Sequence, residues 1–442
     1  MGMLRNLLSS ARPPEGNVRV RRSTPSEPER EPERKSREHD RKTTAPAASV
    51  PPADKPAKAP KYPEITGPAD AVLGATVLTL VAFGIVMIYS ASAVFAHQRY
   101  GSGQYFLIRQ TVFAALGLAV MVVAARIDYH RLRAFTYPFL FVSLGLLLVT
   151  AVGFGHAAGG AARWISVGPI HIQPAEVVKV AMICWLAYSL SKKTERIRSF
   201  SVGFLPHVLG AGVVMILCLK QPDFGSAVMI GLITFFMLFA AGARLGYILG
   251  AGILALPIVY FLVAGSEYRM RRITAFLSPF QYRHTAGYQI AESLMSFGAG
   301  GTTGVGIGDS HQKLLFLPEA HTDFISAIIG EELGFLGFLA MVFAFLLLVA
   351  RGLRAAFGAV DEYGTYLAVG ITLFLGTQAF TNLAVAVGLL PTKGLVLPFI
   401  SYGGSSLLVN CLAVGLLLNV SRPRVSAAHS AGQAPRALGG VA

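Results

Sequence analysis

Charged residues are scarce in this sequence, and so is cysteine. Asp, Glu, Lys and Arg make up 14% of the 442 residues, while 53% are hydrophobic. Because an ordinary soluble chain carries roughly 25% charged residues, the composition excludes a soluble enzyme. The three cysteines, Cys184, Cys218 and Cys411, are too few and too scattered for a disulfide framework or a cysteine-based metal site. We expect them to be small core residues.

Positive charge exceeds negative charge, with 38 Lys and Arg against 23 Asp and Glu. In a soluble protein this balance would suggest a nucleic-acid partner. Residues 1–62 hold 14 of the basic and 8 of the acidic residues, and the others lie mostly in loops between apolar runs. No stripe of basic residues resembles a nucleic-acid face, so we expect no nucleic-acid partner.

The first 63 residues differ from the others in composition. From Arg12 to Pro63 the chain consists mostly of Pro, Glu, Arg, Lys and Ala. Such a segment cannot bury enough apolar surface to offset the entropy of ordering, so residues 1–63 are predicted to form a disordered, basic, cytoplasmic tail. Its mixed-charge run at 27–41 is typical of a solvated linker; a docking segment for a partner or for anionic lipid is the alternative. The apolar stretch at 4–8 is too short for a secretory signal, so export is expected to use the first membrane span.

Ten apolar runs follow the tail, and each is near the length of about 20 residues that crosses a bilayer. They lie near residues 69–95, 105–124, 134–153, 174–191, 203–219, 225–242, 245–264, 323–350, 364–389 and 397–419. We predict an all-α integral membrane protein with a bundle of ten transmembrane helices over residues 64–420. A long extracytoplasmic loop at 266–322 separates helices 7 and 8, and residues 421–442 form a cytoplasmic C-terminal tail.

Basic residues indicate how these helices are oriented. The short loops on one side of the predicted bundle hold Arg126, Arg131, Arg133, Lys192, Lys193, Arg196, Arg198, Arg244, Arg351 and Arg354. The positive-inside rule makes this side cytoplasmic. We therefore expect a multi-pass protein of the cytoplasmic (inner) membrane with both termini in the cytoplasm.

The long loop at 266–322 does not follow this charge bias. It carries Arg269, Arg271, Arg272, Arg283 and Lys313. An ordinary soluble loop of this length would also escape the charge rule, but long ordered loops are usually functional. The glycines between 298 and 308 would let backbone amides approach an anion, or they make a flexible, tightly turning loop. Their spacing fits neither GxGxxG nor the phosphate loop, which disfavours nucleotide binding.

Asp323 stands where this loop meets an apolar helix, together with Glu319, His321 and Thr322. A carboxylate at that boundary caps the helix or serves as a base, and the two roles are compatible. His321 is a hydrogen-bonded surface residue in the simpler interpretation. With the neighbouring carboxylates it could also help to hold a divalent cation.

Two further polar segments interrupt the apolar runs. In the first, Glu176 and Lys179 lie three residues apart on one face of a helix, where they form a structural ion pair or place Lys179 against a phosphate. The second is PTKGLVLPFISYGGSS at 391–406, with Lys393 and the Gly403-Gly404 pair. Irregular backbone at membrane depth is tolerated only when protein buries it or when it lines a cavity. A re-entrant turn that merely starts the tenth helix is the alternative.

Several motifs together resemble one family. They are GYQIAESLMSFGAGG at 287–301, LPEAHTDF at 317–324, IGEELG at 329–334 and PTKGLVLPFISYGGSS at 391–406, with RWI at 163–165, QPAE at 173–176 and QPDFG at 221–225. Over about residues 70–420 the chain resembles the SEDS (FtsW/RodA/SpoVE) family of cell-wall polymerases. The pattern is most similar to the cell-division member of that family.

The resemblance implies a peptidoglycan glycosyltransferase that polymerises lipid II at the outer face of the cytoplasmic membrane during septal cell-wall synthesis. The catalytic aspartate of the family falls on Asp323. A diphosphate leaves without protonation, so the reaction needs one base and positive charge for the leaving group. The residues expected to bind the lipid II diphosphate or sugar are Arg163, Lys179, Arg272, Ser310, Gln312, Lys313, Glu319, His321, Thr322, Lys393, Ser401, Gly403 and Gly404. No cofactor is certain, and a divalent cation, Mg²⁺ or Mn²⁺, is left open.

The resemblance also implies partners. We expect lipid II and undecaprenyl diphosphate, a class B penicillin-binding transpeptidase, other divisome proteins and membrane lipids, at the division septum. Two functions of other classes stay open. One is a flippase for the lipid-linked precursor, which needs a polar path at the membrane midplane. The other is a non-catalytic divisome scaffold, which would tolerate Asp323→Asn.

Overall fold

The computed structural model describes residues 64–158, 161–168, 170–314 and 316–425. The predicted N-terminal tail at 1–63 lies outside the described residues, and so does most of the predicted C-terminal tail, at 426–442.

Most of the described residues are helical. The α-helices are α1 Ala71–Tyr100, α2 Tyr105–Arg126, α3 Leu132–Val149, α4 Pro174–Lys192, α5 Leu205–Lys220, α6 Phe224–Ala240, α7 Leu245–Ala264, α8 Glu267–Leu277, α9 Tyr288–Gly300, α10 Ile325–Glu332, α11 Gly334–Phe357, α12 Glu362–Ala386 and α13 Gly404–Val420. Short 3-10 or π segments lie at Tyr129–Arg131, Thr150–Phe154, Thr194–Arg196 and Phe200–Phe204. The strands are β1 Glu64–Ile65, β2 His156–Ala158, β3 Ala161–Val167, β4 Ile170–Ile172 and β5 Arg424–Val425.

The predicted membrane bundle is confirmed. Eight helices in the described part of the chain are long and apolar enough to cross a bilayer, and α6 and α13 are shorter apolar helices. Together they correspond to the ten predicted spans. Most residues of α4 and α12 are buried, whereas Ile248 alone is buried in α7. The bundle is therefore built around α4 and α12, and α7 lies at its periphery.

The eighth span is broken rather than continuous. The prediction ran through residues 323–350, but α10 ends at Glu332 and α11 begins at Gly334, which has φ +66°. The glycine-rich loop seals this break: the Val305 amide donates to the carbonyl of Glu331, and the Gly306 amide donates to that of Glu332 (both 3.0 Å). The run holds Glu331 and Glu332 at this point, but a sequence does not show that another segment supplies the amides that satisfy the freed carbonyls.

The last predicted span begins later than expected, at Gly404 instead of residue 397. The preceding residues form an irregular turn against α1. A Cβ on Gly84 of α1 would lie 2.5 Å from the carbonyl oxygen of Phe399, so only glycine permits this approach. The turn is thus buried by protein, as irregular backbone at membrane depth requires.

Two connections contain structure that the sequence reading missed. The long loop predicted at 266–322 contains α8 and α9. Between α3 and α4, strands β2, β3 and β4 form an antiparallel sheet in that order, with Ser166 paired to His171. Strands β1 and β5 pair antiparallel with each other, Glu64 opposite Val425. The short, weakly alternating strand segments gave no clear period-2 signal.

Candidate active site

Asp323 lies in the last turn of the long loop, directly before α10. Its amide donates to the carbonyl of Glu319 (3.1 Å), and its own carbonyl accepts a bond from the side-chain amide of Asn382 (2.8 Å). Within the described part of the chain its carboxylate accepts no hydrogen bond, and the N-cap of α10 is Phe324, without a side-chain cap. The backbone of Asp323 is therefore held from two sides, while its carboxylate is not used as a helix cap.

The surroundings of Asp323 raise the pKa of its carboxyl group. Burial raises the pKa of Asp323 to about 7, and the negative charge of Glu319 adds to the rise, while Arg272 and Arg163 oppose it. A base works best when its pKa lies near the operating pH. Large shifts of this kind are also enriched at functional sites. Asp323 is thus able to take a proton at physiological pH.

Glu319 adopts a strained backbone conformation beside Asp323. Its φ is +56°, and its side chain accepts a hydrogen bond from Thr322 Oγ1 (2.8 Å). The other described non-glycine residues with positive φ are Pro222 and Phe399. All three lie in segments that surround the site, and such strain persists where the neighbouring structure enforces it.

Arg163 and Arg272 reach Asp323 from segments far apart in the chain. Arg163, on β3, donates to the carbonyls of Gln221 (3.0 Å) and Pro222 (2.7 Å) in the turn between α5 and α6. Arg272, on α8, donates to the carbonyl of Thr392 (3.1 Å). Both guanidinium groups act on the Asp323 carboxyl group through space. The structure therefore brings these two predicted residues to Asp323.

The segment from Thr392 to Val396 passes next to the Asp323 carboxylate. A Cβ on Gly394 would lie 3.3 Å from Asp323 Oδ2. Lys393 precedes it, with Nζ 5.4 Å from the centre of the Phe224 ring, and burial lowers the pKa of Lys393. The backbone next to the predicted Lys393 therefore passes the base, while the Lys393 side chain reaches the ring of Phe224.

Two amide side chains of α12 hold this segment, and sequence reasoning missed both. Asn382 donates to the carbonyl of Leu395 (2.7 Å) as well as to that of Asp323, and its oxygen accepts from Ser326 (3.1 Å). Gln378 donates to the carbonyl of Val396 (3.1 Å). The available signal was the presence of amides within an apolar span, where polar groups need partners.

His321 has its ring in an aromatic cluster. The ring centre lies 4.6 Å from that of Phe106 and 5.4 Å from that of Phe95, and the carbonyl of His321 accepts from the amide of Tyr402 (3.0 Å). Burial lowers the pKa of His321, so the ring is neutral near pH 7. The arrangement matches a packing role next to the site.

Ser310 and Lys313 belong to a second polar cluster, at the break between α10 and α11. Ser310 donates to Glu331, and Lys313 Nζ lies 3.2 Å from Glu332 Oε1, which also accepts from Ser90 (2.6 Å). The ammonium of Lys313 thus already has a buried carboxylate partner. These two predicted residues are therefore not joined to Asp323. The side-chain oxygen of Gln312 is buried and has no partner among the described residues.

Lys179 and the 401–404 turn, predicted to bind substrate, make contacts that support the fold. Lys179 is fully buried, with Nζ 2.7 Å from Glu176 Oε1, which favours the ion-pair interpretation over a phosphate contact. Ser401 accepts the amide of Leu397 through its hydroxyl (2.8 Å). Gly403 directly precedes α13, and a Cβ on Gly404 would lie 2.7 Å from the ring of Phe113. The last three residues thus shape the turn that starts α13.

The donor set at the site offers little to a resident metal ion. In residues 64–425, apart from the gaps given above, no group of three or more His, Cys, Asp or Glu side chains could hold one. The divalent cation left open by the sequence stays a prediction.

Comparisons with known proteins agree on one family. Residues 70–425 match the family model described as cell cycle protein, FtsW/RodA/SpoVE. The probable peptidoglycan glycosyltransferase FtsW of Geobacter sulfurreducens is 50% identical over 353 residues, which cover 80% of this chain and 95% of that protein. The stage V sporulation protein E of Bacillus subtilis is 41% identical over 357 residues, covering 80% and 97%.

Solved structures show the same relationship. A chain from a peptidoglycan synthase complex that coordinates polymerization and crosslinking superposes with a TM-score of 0.67 at 29% identity, covering 80% of this chain and 97% of that one. The rod shape determining protein RodA of Thermus thermophilus superposes with a TM-score of 0.61 at 28% identity, covering 81% and 98%.

Proposed function

This chain belongs to the FtsW/RodA/SpoVE family, known as SEDS, and we propose that it polymerises lipid II with Asp323 as the general base. It is a multi-pass membrane protein and a peptidoglycan glycosyltransferase of cell-wall synthesis. The finer statements concern the reacting groups, the site of synthesis and the partners.

The proposed reaction extends a glycan strand by one disaccharide. The 4-hydroxyl of a GlcNAc residue attacks the anomeric carbon of a MurNAc residue linked to undecaprenyl diphosphate. Asp323 takes the hydroxyl proton as the new C–O bond forms, and the bond from the anomeric carbon to the diphosphate breaks. The leaving diphosphate keeps the electron pair and needs no proton, so a second carboxylic acid is not required. General base catalysis of this kind contributes about 10²–10⁴-fold.

The observation that carries the proposal is a half-buried carboxyl group with a pKa of about 7 near Arg272 and Arg163, two cations that have no ion-pair partner within the described part of the chain. In the described part of the chain no carboxylate lies within 4.0 Å of the charged groups of Arg163, Arg272 or Lys393. Positive charge fixed in a partly desolvated site stabilises the negative charge that develops on a leaving diphosphate. This supports a base and a leaving-group site in one place.

We also propose where and with which partners the protein acts. Synthesis takes place at the outer face of the cytoplasmic membrane, at the division septum, with both termini in the cytoplasm. The structural likeness to a peptidoglycan synthase complex supports a penicillin-binding partner. That partner is a class B transpeptidase, and other divisome proteins and membrane lipids complete the assembly.

The test is polymerisation of labelled lipid II in proteoliposomes by the full-length protein with its cognate transpeptidase. Wild type should make glycan strands, and Asp323→Asn should make none at equal amounts of folded protein. Asp309→Asn is the matched control, because Asp309 is an exposed carboxylate of the same loop. Equal strands from wild type and Asp323→Asn would refute the base assignment. No strands from any protein would favour the flippase or the scaffold.

A further inference from the structure

Phe224, the first residue of α6, has two cations near one ring. Lys393 Nζ lies 5.4 Å from the ring centre, and Arg269 Cζ lies 5.6 Å from it. Both distances are within the range of a cation–π interaction, about 6 Å. Lys393 comes from the segment between α12 and α13, and Arg269 comes from α8, so three distant parts of the chain meet at this ring.

Among the residues that the structure describes, these two cations lack a counter-charge. By the two ring distances, the charged groups are at most about 11 Å apart. Over the described residues, no Asp or Glu oxygen lies within 4.0 Å of either group. Arg269 donates to the carbonyl of Leu262 (2.7 Å), which leaves several of its N–H groups free, and Lys393 Nζ has no hydrogen-bond acceptor among the described residues. Burial disfavours the charged form of Lys393, and a buried cation without a counter-charge is costly, so the arrangement favours an anionic ligand.

The ring itself explains how the cations stay in place without being neutralised. The face of an aromatic ring carries partial negative charge and attracts a cation. A carboxylate in the same position would form a full ion pair and would compete with an anionic ligand. Phe224 therefore positions Arg269 and Lys393 while it leaves their charge available.

The segment that carries Lys393 passes next to the proposed base. Arg272 donates to the carbonyl of Thr392, the neighbour of Lys393. On the other side of Lys393, Gly394 is in contact with the Asp323 carboxylate, where an added Cβ would be 3.3 Å from Oδ2. The 392–394 backbone thus connects the Lys393 side chain at Phe224 with the group that takes the proton.

We propose that Arg269 and Lys393, held by the ring of Phe224, bind the diphosphate of the lipid-linked substrate as a two-cation clamp. The inference rests on the proposed function and adds Arg269 as a binding residue and Phe224 as a positioning residue. Two separated cations suit two linked phosphates, because each can contact a different phosphoryl group. A phospholipid headgroup offers the same chemistry with a single phosphate, so the test must separate the two sources.

The test measures binding of farnesyl diphosphate and farnesyl monophosphate to the full-length protein in nanodiscs. Wild type should prefer the diphosphate by about ten-fold or more, since each charged hydrogen bond is strong. Phe224→Leu should weaken diphosphate binding by about 2- to 30-fold, the range of a cation–π contact. Phe224→Tyr should restore it. Arg269→Gln should lower the affinity for the diphosphate by about ten-fold. In the double variant with Phe224→Leu, the affinity should fall by less than the product of the two single reductions, because both changes act on one contact.

Matched controls separate this role from folding. Arg271→Gln removes a neighbouring charge of α8 that already pairs with Glu267, and Phe235→Leu makes the same apolar change on α6 away from both cations. Both should bind diphosphate like wild type, and every variant is compared by its melting temperature. Phe224→Trp, which keeps an aromatic face, replaces Phe224→Tyr if the latter unfolds.

Three results would overturn the clamp. The first is that Phe224→Leu binds farnesyl diphosphate as tightly as wild type. The second is that wild type binds the diphosphate and the monophosphate with equal affinity, which would indicate a site for a phospholipid phosphate. The third is that a wild-type protein that polymerises lipid II binds no farnesyl diphosphate. Asp323→Asn separates this test from that of the proposed function. Farnesyl diphosphate binding should persist in that variant. If Asp323→Asn polymerises lipid II, the role of Asp323 as base is refuted, and the clamp is still judged by the binding measurements alone.

Discussion

The activity at low pH should respond in opposite directions to the removal of opposite charges around Asp323. Glu319→Gln removes a negative charge that raises the pKa of Asp323, so the pKa falls and activity persists to lower pH. Arg272→Gln removes a positive charge that lowers this pKa, so the pKa rises and activity is lost at higher pH. The sign follows from the base role, because only the ionised carboxylate takes a proton.

The size of the effect follows from the pKa of about 7. At that pKa about one carboxyl group in eleven is ionised at pH 6, and about ten in eleven are ionised at pH 8. The wild-type rate should therefore be about ten-fold higher at pH 8 than at pH 6. This ratio should shrink in Glu319→Gln and grow in Arg272→Gln. A ratio of rates cancels any loss of activity that is the same at both pH values.

Single-turnover rates with labelled lipid II in proteoliposomes across this pH range provide the measurement. Glu267→Gln is the control, because Glu267 is an exposed carboxylate paired with Arg271 and its loss should leave the ratio unchanged. If both site variants shift the profile in the same direction, or if neither shifts it, Asp323 is not the group whose ionisation limits the rate.

Two further predictions concern single contacts. Gly394→Ala should lower the polymerisation rate by up to about ten-fold without changing the melting temperature, because its Cβ, 3.3 Å from Oδ2, would shift the Asp323 carboxylate slightly. Gly298→Ala, with no neighbour within 4 Å of the added Cβ, should match wild type, and a wild-type rate for Gly394→Ala would contradict the geometry. Lys179→Met should lower the free energy of unfolding, measured by chemical denaturation, by about 3–5 kcal/mol, because it removes the partner of the buried Glu176. The double variant with Glu176→Gln should recover much of the lost stability. A stable Lys179→Met protein that binds lipid II poorly would instead support a phosphate contact.

The bundle could be predicted from composition because membrane spans are a local property. Each span needs about 20 consecutive apolar residues, and ten such runs stand between short basic loops. What the runs did not reveal was the break at Gly334, since the carbonyls freed there are satisfied by amides of the 301–306 loop. The short strands around Ser166 were missed for a related reason, because their pairing is decided between segments and not within one.

The candidate site was predictable in part. Asp323 could be identified because its loop motif resembles that of a known family and because a carboxylate stands at a loop–helix boundary. The cations were harder to choose. Arg163 and Arg272 act on Asp323 and Lys393 lies over the ring of Phe224, whereas Lys313 pairs with Glu332 elsewhere. A list of basic residues in loops does not say which of them already has a carboxylate partner.

The sequence by itself determined that this chain spans the membrane, to which family it belongs and which carboxylate is the proposed base, because these follow from local composition and from contiguous motifs. Only the tertiary structure decided the electrostatics of the site. The pKa of Asp323 depends on burial and on Glu319, Arg272 and Arg163, and the cations at Phe224 depend on α8 and the 392–396 segment meeting one ring. Coulombic and cation–π interactions act over a few ångströms in space, whatever the separation along the chain.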